Sequence, residues 1–135
     1  MFHILLVEDN PGDVLLIREA VRRSAVSADV IIAYDGEQAI QILTEDRVKV
    51  DFIFLDLNLP KYDGLQILEW YRANQGPPVV VLTSSSNPAD RDRAMDLAAS
   101  GYVVKPADLD MFMRVIHTAL EHWIPGPQAP APNDS

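Results

Sequence analysis

Residues 52–58 read FIFLDLN, a run of four apolar residues followed by Asp56, a leucine and Asn58. The apolar run lacks the alternation of a half-exposed strand, which is typical of a strand buried on both faces in a parallel sheet. Residues 79–82 (VVVL) have the same pattern. Three more strands are predicted at 2–7, 30–33 and 102–104.

Amphipathic stretches fill the gaps between these strands. The first begins at Asn10 and Pro11, which supply an N-cap and a proline in the first helical turn. The other helices are predicted at 38–43, 65–72 and 89–98, and from a cap at Asp108 to about Trp123. Because each parallel pair of strands needs a crossover helix, this order predicts a doubly wound α/β fold with a five-stranded parallel sheet.

Composition limits the classes of protein that this chain can represent. It has 135 residues, no cysteine, and 20 acidic against 11 basic side chains, a net charge of −9. The length predicts one domain, at residues 1–124, followed by a flexible proline-rich tail at 125–135. The absence of cysteine excludes a disulfide scaffold and a thiolate metal site. The acidity and the lack of a long apolar stretch predict a cytoplasmic domain that binds neither nucleic acid nor a membrane.

Four of the predicted strands end in a charged or hydroxyl-bearing residue, at the edge of a parallel sheet where ligands bind. They are Glu8 and Asp9 after the first strand, Asp56 after the third, Thr83 after the fourth and Lys105 after the fifth. Each acid on its own is equally well explained as a helix cap. Clustered carboxylates repel one another unless a cation compensates them, and Mg²⁺ prefers such oxygen ligands. The whole pattern therefore predicts a magnesium site.

The same residues suit phosphoryl chemistry. A carboxylate beside Mg²⁺ can attack phosphorus and form an aspartyl phosphate. The group that is transferred carries negative charge on its oxygens, which a metal, a lysine and a hydroxyl stabilise. Asp56, Lys105 and Thr83 are of the right kind for the nucleophile, the ammonium and the hydroxyl donor. The sequence contains no glycine-rich loop for binding a nucleotide.

Four motifs carry a resemblance to a known family: ILLVEDN (4–10), FLDLNLPKYDG (54–64), VVVLTSS (79–85) and SGYVVKP (100–106). In this order and spacing, they make the sequence resemble the receiver domain of two-component response regulators over about residues 1–123. The resemblance implies the flavodoxin-like receiver fold, with strand order 2-1-3-4-5 and five helices. The segment EDNPGDVLLIREA (8–20) is most similar to the regulators of bacterial phytochromes and related sensor kinases.

The resemblance also implies a role for each residue at the strand ends. Asp56 would accept a phosphoryl group from the phosphohistidine of a sensor histidine kinase. The chain would be a signalling protein that catalyses only its own phosphorylation and dephosphorylation. Mg²⁺ would be bound by Glu8, Asp9, Asp56 and the backbone carbonyl of Asn58. Lys105 and Thr83 would contact the phosphoryl oxygens.

A conformational switch and two backbone features follow from the same resemblance. Thr83 and the aromatic residue Tyr102 would respond to the phosphoryl group, while Asn58 and Ser85 would set its lifetime. The family has a cis peptide bond at the position of Lys105 and Pro106. Ala98 stands where a glycine often ends the fourth helix, which puts that helix end in doubt.

The last predicted helix has a broader apolar stripe than packing on a sheet requires. Beyond its core-facing residues, the stripe extends sideways through Leu109, Met113, Leu120 and Ile124. An exposed apolar flank of this kind is typical of a partner surface. We therefore predict a homodimer through this helix.

Two other functions stay open on the sequence alone. A haloacid-dehalogenase-type phosphatase also uses an aspartate nucleophile and magnesium, but it needs a second aspartate where this chain has Asn58. A receiver-shaped interaction module that is never phosphorylated usually lacks one of the acids or the lysine, and this chain keeps them all. Both alternatives therefore fit the sequence less well than a phosphorylated receiver does.

Overall fold

The computed structural model describes residues 2–24, 26–45, 49–59, 64–74 and 77–123, in which five strands alternate with five helices. The strands are β1 (Phe2–Val7), β2 (Ala28–Ala33), β3 (Phe52–Leu55), β4 (Val79–Thr83) and β5 (Gly101–Val104). The helices are α1 (Pro11–Arg23), α2 (Gly36–Glu45), α3 (Gly64–Asn74), α4 (Pro88–Asp96) and α5 (Leu109–Trp123). None of these helices is both long and apolar enough to cross a membrane.

The strands form one parallel sheet in the order β2-β1-β3-β4-β5, which confirms the predicted fold. Every residue of β3 and β4 is buried, as their unbroken apolar runs indicate. The central strands end level with one another, because Val7 pairs with Leu55 and Leu55 pairs with Val81. The residues that follow these strands therefore meet along the carboxyl edge of the sheet.

The core has two layers, one on each face of the sheet. Successive residues of a strand point to opposite faces, so β1 contributes to both layers. Ile4 and Leu6 pack in the layer that contains α1 and α5, whereas Leu5 and Val7 pack in the layer that contains α2, α3 and α4. Both faces are thus covered, and the ends of the strands are left as the place for polar chemistry.

The end of α4 differs from the prediction. The helix ends at Asp96 rather than at residue 98, and Ala98 adopts a left-handed conformation with φ of 69°. The backbone N–H of Ala99 then donates to the carbonyl of Ala94 (3.0 Å), which satisfies one of the carbonyls that a helix end leaves free. The doubt about this helix end is thereby explained, since glycine adopts this conformation without strain and alanine does not.

The predicted dimer surface on α5 is partly wrong. Leu120 is completely buried, because it lies one and two turns after Ile116 and Phe112 on the face that packs against the sheet. Met113 is half-buried against the same core layer. Leu109 is exposed. Ile124 and the predicted tail at 125–135 lie outside the described residues.

Candidate functional site

The candidate site lies at the carboxyl edge of the sheet, where β1 and β3 end. Glu8 directly follows β1, and Asp56 directly follows β3. The backbone N–H of Asp56 donates to the carbonyl of Val7 (3.0 Å), so the pairing of the two strands continues beyond β3. Two acidic residues are thereby held side by side at the end of a rigid sheet.

Three carboxylates converge at this edge. Oxygens of Glu8, Asp9 and Asp56 lie within 4.8 Å of one another. Glu8 and Asp56 are buried, with 1% and 6% of their surface exposed, whereas Asp9 is exposed to solvent. Oxygen donors at this spacing, with one side open to water, fit a hard divalent cation that keeps part of its hydration shell. The three acidic residues among the predicted metal ligands are thus brought together in a cluster that could hold a metal ion.

The ammonium of Lys105 lies in the same cluster, with 9% of the side chain exposed. Its Nζ donates to Glu8 Oε1 (2.5 Å), Asp13 Oδ2 (2.8 Å) and Asp56 Oδ2 (3.3 Å). A lysine ammonium has three N–H donors, so each donor has one carboxylate acceptor here. Lys105 also supplies positive charge where the carboxylates would otherwise repel one another.

Burial and the neighbouring charges change the ionisation of the two most buried groups. Burial raises the pKa of Glu8 to about 7, because a carboxylate removed from water is disfavoured in its charged form. The hydrogen bond from Lys105 opposes this rise, and the charge of Asp56 adds to it. Burial acts to lower the pKa of Lys105, but the contacts with Asp13 and Glu8 outweigh it and raise that pKa. Lys105 therefore stays charged at neutral pH, whereas Glu8 is partly protonated and partly ionised there.

Asp13 is a site residue that the predicted set does not include. It lies in the first turn of α1, where its backbone N–H donates to Asn10 Oδ1 (3.2 Å). An acid in a first helical turn is ordinarily explained by its interaction with the helix dipole. The signal in the sequence is its place in the short EDNPGD segment, because a tight turn from β1 into α1 returns the first helical turn to the strand end.

The peptide bond between Lys105 and Pro106 is trans, so the cis bond implied by the resemblance is wrong for this structure. Trans is the intrinsically favoured isomer before proline, by about 0.5–1 kcal/mol. The backbone N–H of Lys105 donates to the carbonyl of Thr83 (2.7 Å), which continues the pairing of β4 with β5. The lysine side chain reaches the carboxylates from this extended backbone.

Thr83, Ser85 and Tyr102 form a second set of contacts, at the end of β4. The Thr83 side chain is buried, and its hydroxyl accepts the backbone N–H of Ser85 (3.2 Å). The Tyr102 hydroxyl donates to the carbonyl of Ser85 (3.1 Å), and the Ser85 hydroxyl donates to Asp90 Oδ2 (2.6 Å). Burial, together with the charge of Asp90, raises the pKa of Tyr102, which therefore stays protonated. The two predicted switch residues are thus linked through one loop residue.

The loop after Asp56 is held by backbone contacts. The backbone N–H of Asn58 donates to Asp56 Oδ1 (3.2 Å), while the Asn58 residue as a whole is exposed. The N–H of Gly64 donates to the carbonyl of Leu57 (2.9 Å). A Cβ atom on Gly64 would lie 2.6 Å from both the Asp56 carbonyl oxygen and the Leu57 Cα atom. Only glycine lets α3 begin this close to the loop, so Gly64 is a second residue outside the predicted site that shapes it.

The strand order, the three convergent acids and the buried lysine agree with one family of proteins. The sequence model of one protein family, the response regulator receiver domain, matches residues 4–117. This chain belongs to that family. The match spans both strand ends that carry the acids, as well as Thr83 and Lys105.

Relatives of similar length support the family assignment. The response regulator Rcp1 of Synechocystis sp. is 33% identical over 136 residues, which cover 95% of this chain and 92% of Rcp1. A crystal structure of the Mn²⁺-bound form of Rcp1 superposes with a TM-score of 0.88 and 32% identity, over 97% of this chain and 100% of that one. The phosphorylated cyanobacterial phytochrome response regulator RcpA superposes with a TM-score of 0.87 and 34% identity, over 96% and 99%.

Proposed function

We propose that this chain is a cytoplasmic response regulator that accepts a phosphoryl group on Asp56 from the phosphohistidine of a sensor histidine kinase. The environment of Asp56 carries this proposal. Its buried carboxylate lies beside two further acids that can hold a cation, and 3.3 Å from the ammonium of Lys105. A carboxylate between these two sources of positive charge suits attack on a phosphorus that bears negative oxygens.

In the proposed reaction, one carboxylate oxygen of Asp56 bonds to phosphorus, and the bond between phosphorus and the kinase's imidazole nitrogen breaks. The nitrogen keeps the electron pair of that bond and takes up a proton from solvent. The Asn58 N–H, 3.2 Å from Asp56 Oδ1, keeps the carboxylate oriented. Lys105 stabilises the charge that gathers on the phosphoryl oxygens. Asn58 carries an amide rather than a second carboxylic acid, which suits a phosphate that persists as a signal rather than a phosphatase.

We assign the cation to Mg²⁺, held by Glu8, Asp9, Asp56 and the backbone carbonyl of Asn58. An all-oxygen set of ligands suits Mg²⁺ and Mn²⁺ alike. Rcp1 has been crystallised in a Mn²⁺-bound form, which supports the binding of a divalent cation by this chain. When bound, the ion supplies positive charge that offsets both the carboxylates and the phosphoryl oxygens.

Thr83 and Tyr102 would convey the phosphorylated state to the surface. Phosphorylation adds about −1.5 to −2 charges and strong acceptor oxygens at Asp56. The Thr83 hydroxyl would turn from the Ser85 N–H to the phosphoryl group, and the loop of Ser85 would follow it. Tyr102 would then lose the Ser85 carbonyl as its acceptor and move inward. Ser85 and Asn58 would control the access of water to the phosphoryl group and so the lifetime of the phosphate.

The kinase partner is proposed to be of the bacterial phytochrome type. RcpA, which is 34% identical to this chain, is described as a phytochrome response regulator and has been crystallised in phosphorylated form. Rcp1 matches this chain over nearly the full length of both proteins. The segment EDNPGDVLLIREA (8–20), which contains Asp9 and Asp13, resembles the same group of regulators.

Phosphorylation by a small donor tests the proposal without knowledge of the kinase. Phosphoramidate has a phosphorus–nitrogen bond like that of phosphohistidine, and the full chain would be incubated with it and Mg²⁺. The intact mass should rise by one phosphoryl group, and EDTA should prevent the rise. Asp56→Asn should stay unlabelled, whereas Asp29→Asn, the same charge change at the opposite end of the sheet, should be labelled normally. Equal labelling of Asp56→Asn and wild type would overturn the assignment.

A second copy of the chain is the proposed partner of α5. Leu109 and Met111 are 57% and 55% exposed at the start of this helix. Met111 also borders an apolar groove of about 500 Å³ between β5 and α5, which Val115 and Trp123 line. The face that carries Met111 thus offers both a projecting apolar side chain and a groove to receive it. A two-fold dimer needs a self-complementary surface of this kind.

Light scattering on the eluting protein measures the state of association. Wild-type chain at micromolar concentration is expected to be dimeric, before or after phosphorylation, and Met111→Glu is expected to be monomeric. Leu15→Glu places the same charge at another exposed apolar residue, on α1, and should leave the dimer intact. A monomeric wild-type chain in both states would refute the dimer.

A further inference from the structure

We propose that Asp13 competes with the phosphoryl group for the ammonium of Lys105, and so limits how tightly the site retains phosphate on Asp56. Asp13 is then a positioning residue, which acts through Lys105 rather than on the reacting atoms. This inference rests on the proposed function, because it concerns the same lysine and the same phosphoryl group.

All three donors of Lys105 have carboxylate acceptors in the structure. An ammonium has three N–H groups, and Glu8, Asp13 and Asp56 each accept one of them. A phosphoryl oxygen can therefore receive a full hydrogen bond from Lys105 only when one of these carboxylates gives up its own. The phosphorylated state thus requires an exchange of partners at this lysine.

Asp13 is the carboxylate that is easiest to displace. Its side chain is 22% exposed, against 2% for Glu8 and 7% for Asp56, so water can solvate it once the contact is lost. It also stands outside the cluster of Glu8, Asp9 and Asp56 that can hold a cation. A bound metal would keep the other carboxylates in place and leave Asp13 to yield.

The charge of Asp13 sets the direction of its effect. Its carboxylate lies 2.8 Å from the ammonium that the phosphoryl oxygens would approach, so the two negative groups share one positive charge and repel each other. Because Asn10 caps the first turn of α1 through the N–H groups of Gly12 and Asp13, the carboxylate is presented from an ordered backbone. Asp13 therefore favours the phosphate-free state. The same charge attracts a cation to the neighbouring cluster.

Asp13→Asn tests this inference, because it removes the charge and nearly keeps the shape. Beryllofluoride, a phosphoryl analogue, would be titrated by calorimetry into the full chain at saturating Mg²⁺, and Mg²⁺ would be titrated alone in a second experiment. The variant should bind beryllofluoride about two- to fivefold more tightly and Mg²⁺ about two- to fivefold more weakly, as expected for one partly exposed charge. Phosphate on Asp56 should also last longer by a similar factor. A substitution that merely disturbed the structure would weaken the binding of both ligands.

Two control variants and the wild type separate the possible results. Asp29→Asn should bind both ligands as wild type does, and Asp13→Glu, which restores the charge, should return towards wild type. Weaker or unchanged beryllofluoride binding by Asp13→Asn would overturn the role of Asp13. Failure of the wild-type chain to bind beryllofluoride any better than Asp56→Asn would instead overturn the proposed function, so the two failures are distinguishable.

Discussion

The ammonium of Lys105 and the carboxylate of Glu8 lie 2.5 Å apart, although the residues are 97 positions apart and their strands are not neighbours. The contact joins the end of β5 to the end of β1, across the ends of β3 and β4. Both side chains are almost inaccessible, at 9% and 2% exposure. Removing two charges from water costs free energy. Apolar residues of similar volume, in place of a buried ion pair, often stabilise a fold equally well. The pair is therefore better explained by the chemistry at Asp56 than by stability.

Lys105→Met should destabilise the metal-free chain, because it leaves buried carboxylates without a compensating charge. We expect the free energy of unfolding to fall by about 2–4 kcal/mol in EDTA, and Mg²⁺ to restore part of the loss. Urea unfolding followed by circular dichroism measures both. Lys49→Met, at an exposed position, should behave as wild type. A Lys105→Met variant of wild-type stability in EDTA would contradict the electrostatic role given to this residue.

The raised pKa of Glu8 makes the stability of the metal-free chain depend on pH. Between the ordinary value of 4.5 and the folded value of about 7, the native state binds more protons at Glu8 than the unfolded state does. The stability that Glu8 contributes is therefore fully present below the pKa of the unfolded state and is lost as pH rises through the pKa of the folded state. Between about pH 5 and pH 8, the free energy of unfolding of the wild type should fall by about 1–3 kcal/mol more than that of Glu8→Gln. If the free energy of unfolding of the two proteins changes equally with pH in EDTA, the pKa of Glu8 is not raised.

The strands and the acids at their ends were predictable from local patterns. The bounds of β1 and β3 follow from apolar runs, and parallel strands bring Glu8 and Asp56 to one edge whatever the details of the loops. Contacts that depend on the path of a turn were not predictable in this way. Asp13 reaches Lys105 because α1 starts close to the end of β1. The hydrophobic periodicity of the sequence does not predict that distance.

The predicted dimer surface on α5 is partly wrong for a different reason. The apolar stripe of α5 is wider than its contact with the sheet. The sequence pattern does not indicate which side of the stripe the core covers. Leu120 follows Phe112 and Ile116 by whole turns and is buried, whereas Met111, which the prediction omitted, is exposed. The packing of α5 against both the sheet and α1 decides which flank is covered, and this packing is a tertiary property.

Ala98→Gly should stabilise the chain. Ala98 has a φ of 69° and is exposed, so glycine would relieve backbone strain without removing a buried contact. Strain relief outweighs the greater freedom of glycine in the unfolded chain, and we expect a gain of about 0.5–1 kcal/mol in the free energy of unfolding. Ala89→Gly, in the first turn of α4, should change stability in the opposite direction. A loss of stability in Ala98→Gly would contradict the left-handed conformation.

Gly64→Ala should disturb the loop that carries Asp56. The new Cβ would lie 2.6 Å from the Asp56 carbonyl oxygen, so the backbone must move, at a cost of about 1–3 kcal/mol. Urea unfolding gives the stability, and Mg²⁺ titration should show weaker binding as the carboxylate shifts. Gly101→Ala is the matched control, since its Cβ would meet its nearest neighbour at 3.5 Å. If both variants unfold at the same urea concentration, the close approach at Gly64 is not real.

The central claim is that Asp56 is the residue that carries the phosphoryl group. The measurement that tests it most directly is the position of the acyl phosphate after reaction with acetyl phosphate and Mg²⁺, trapped by borohydride reduction and located by peptide mass spectrometry. Reduction converts a phosphorylated aspartate to homoserine, which marks the residue permanently. We predict homoserine at position 56, absent when EDTA is present during the reaction. Homoserine at Asp9 or Asp13 in place of Asp56, or none at any aspartate, would contradict the account.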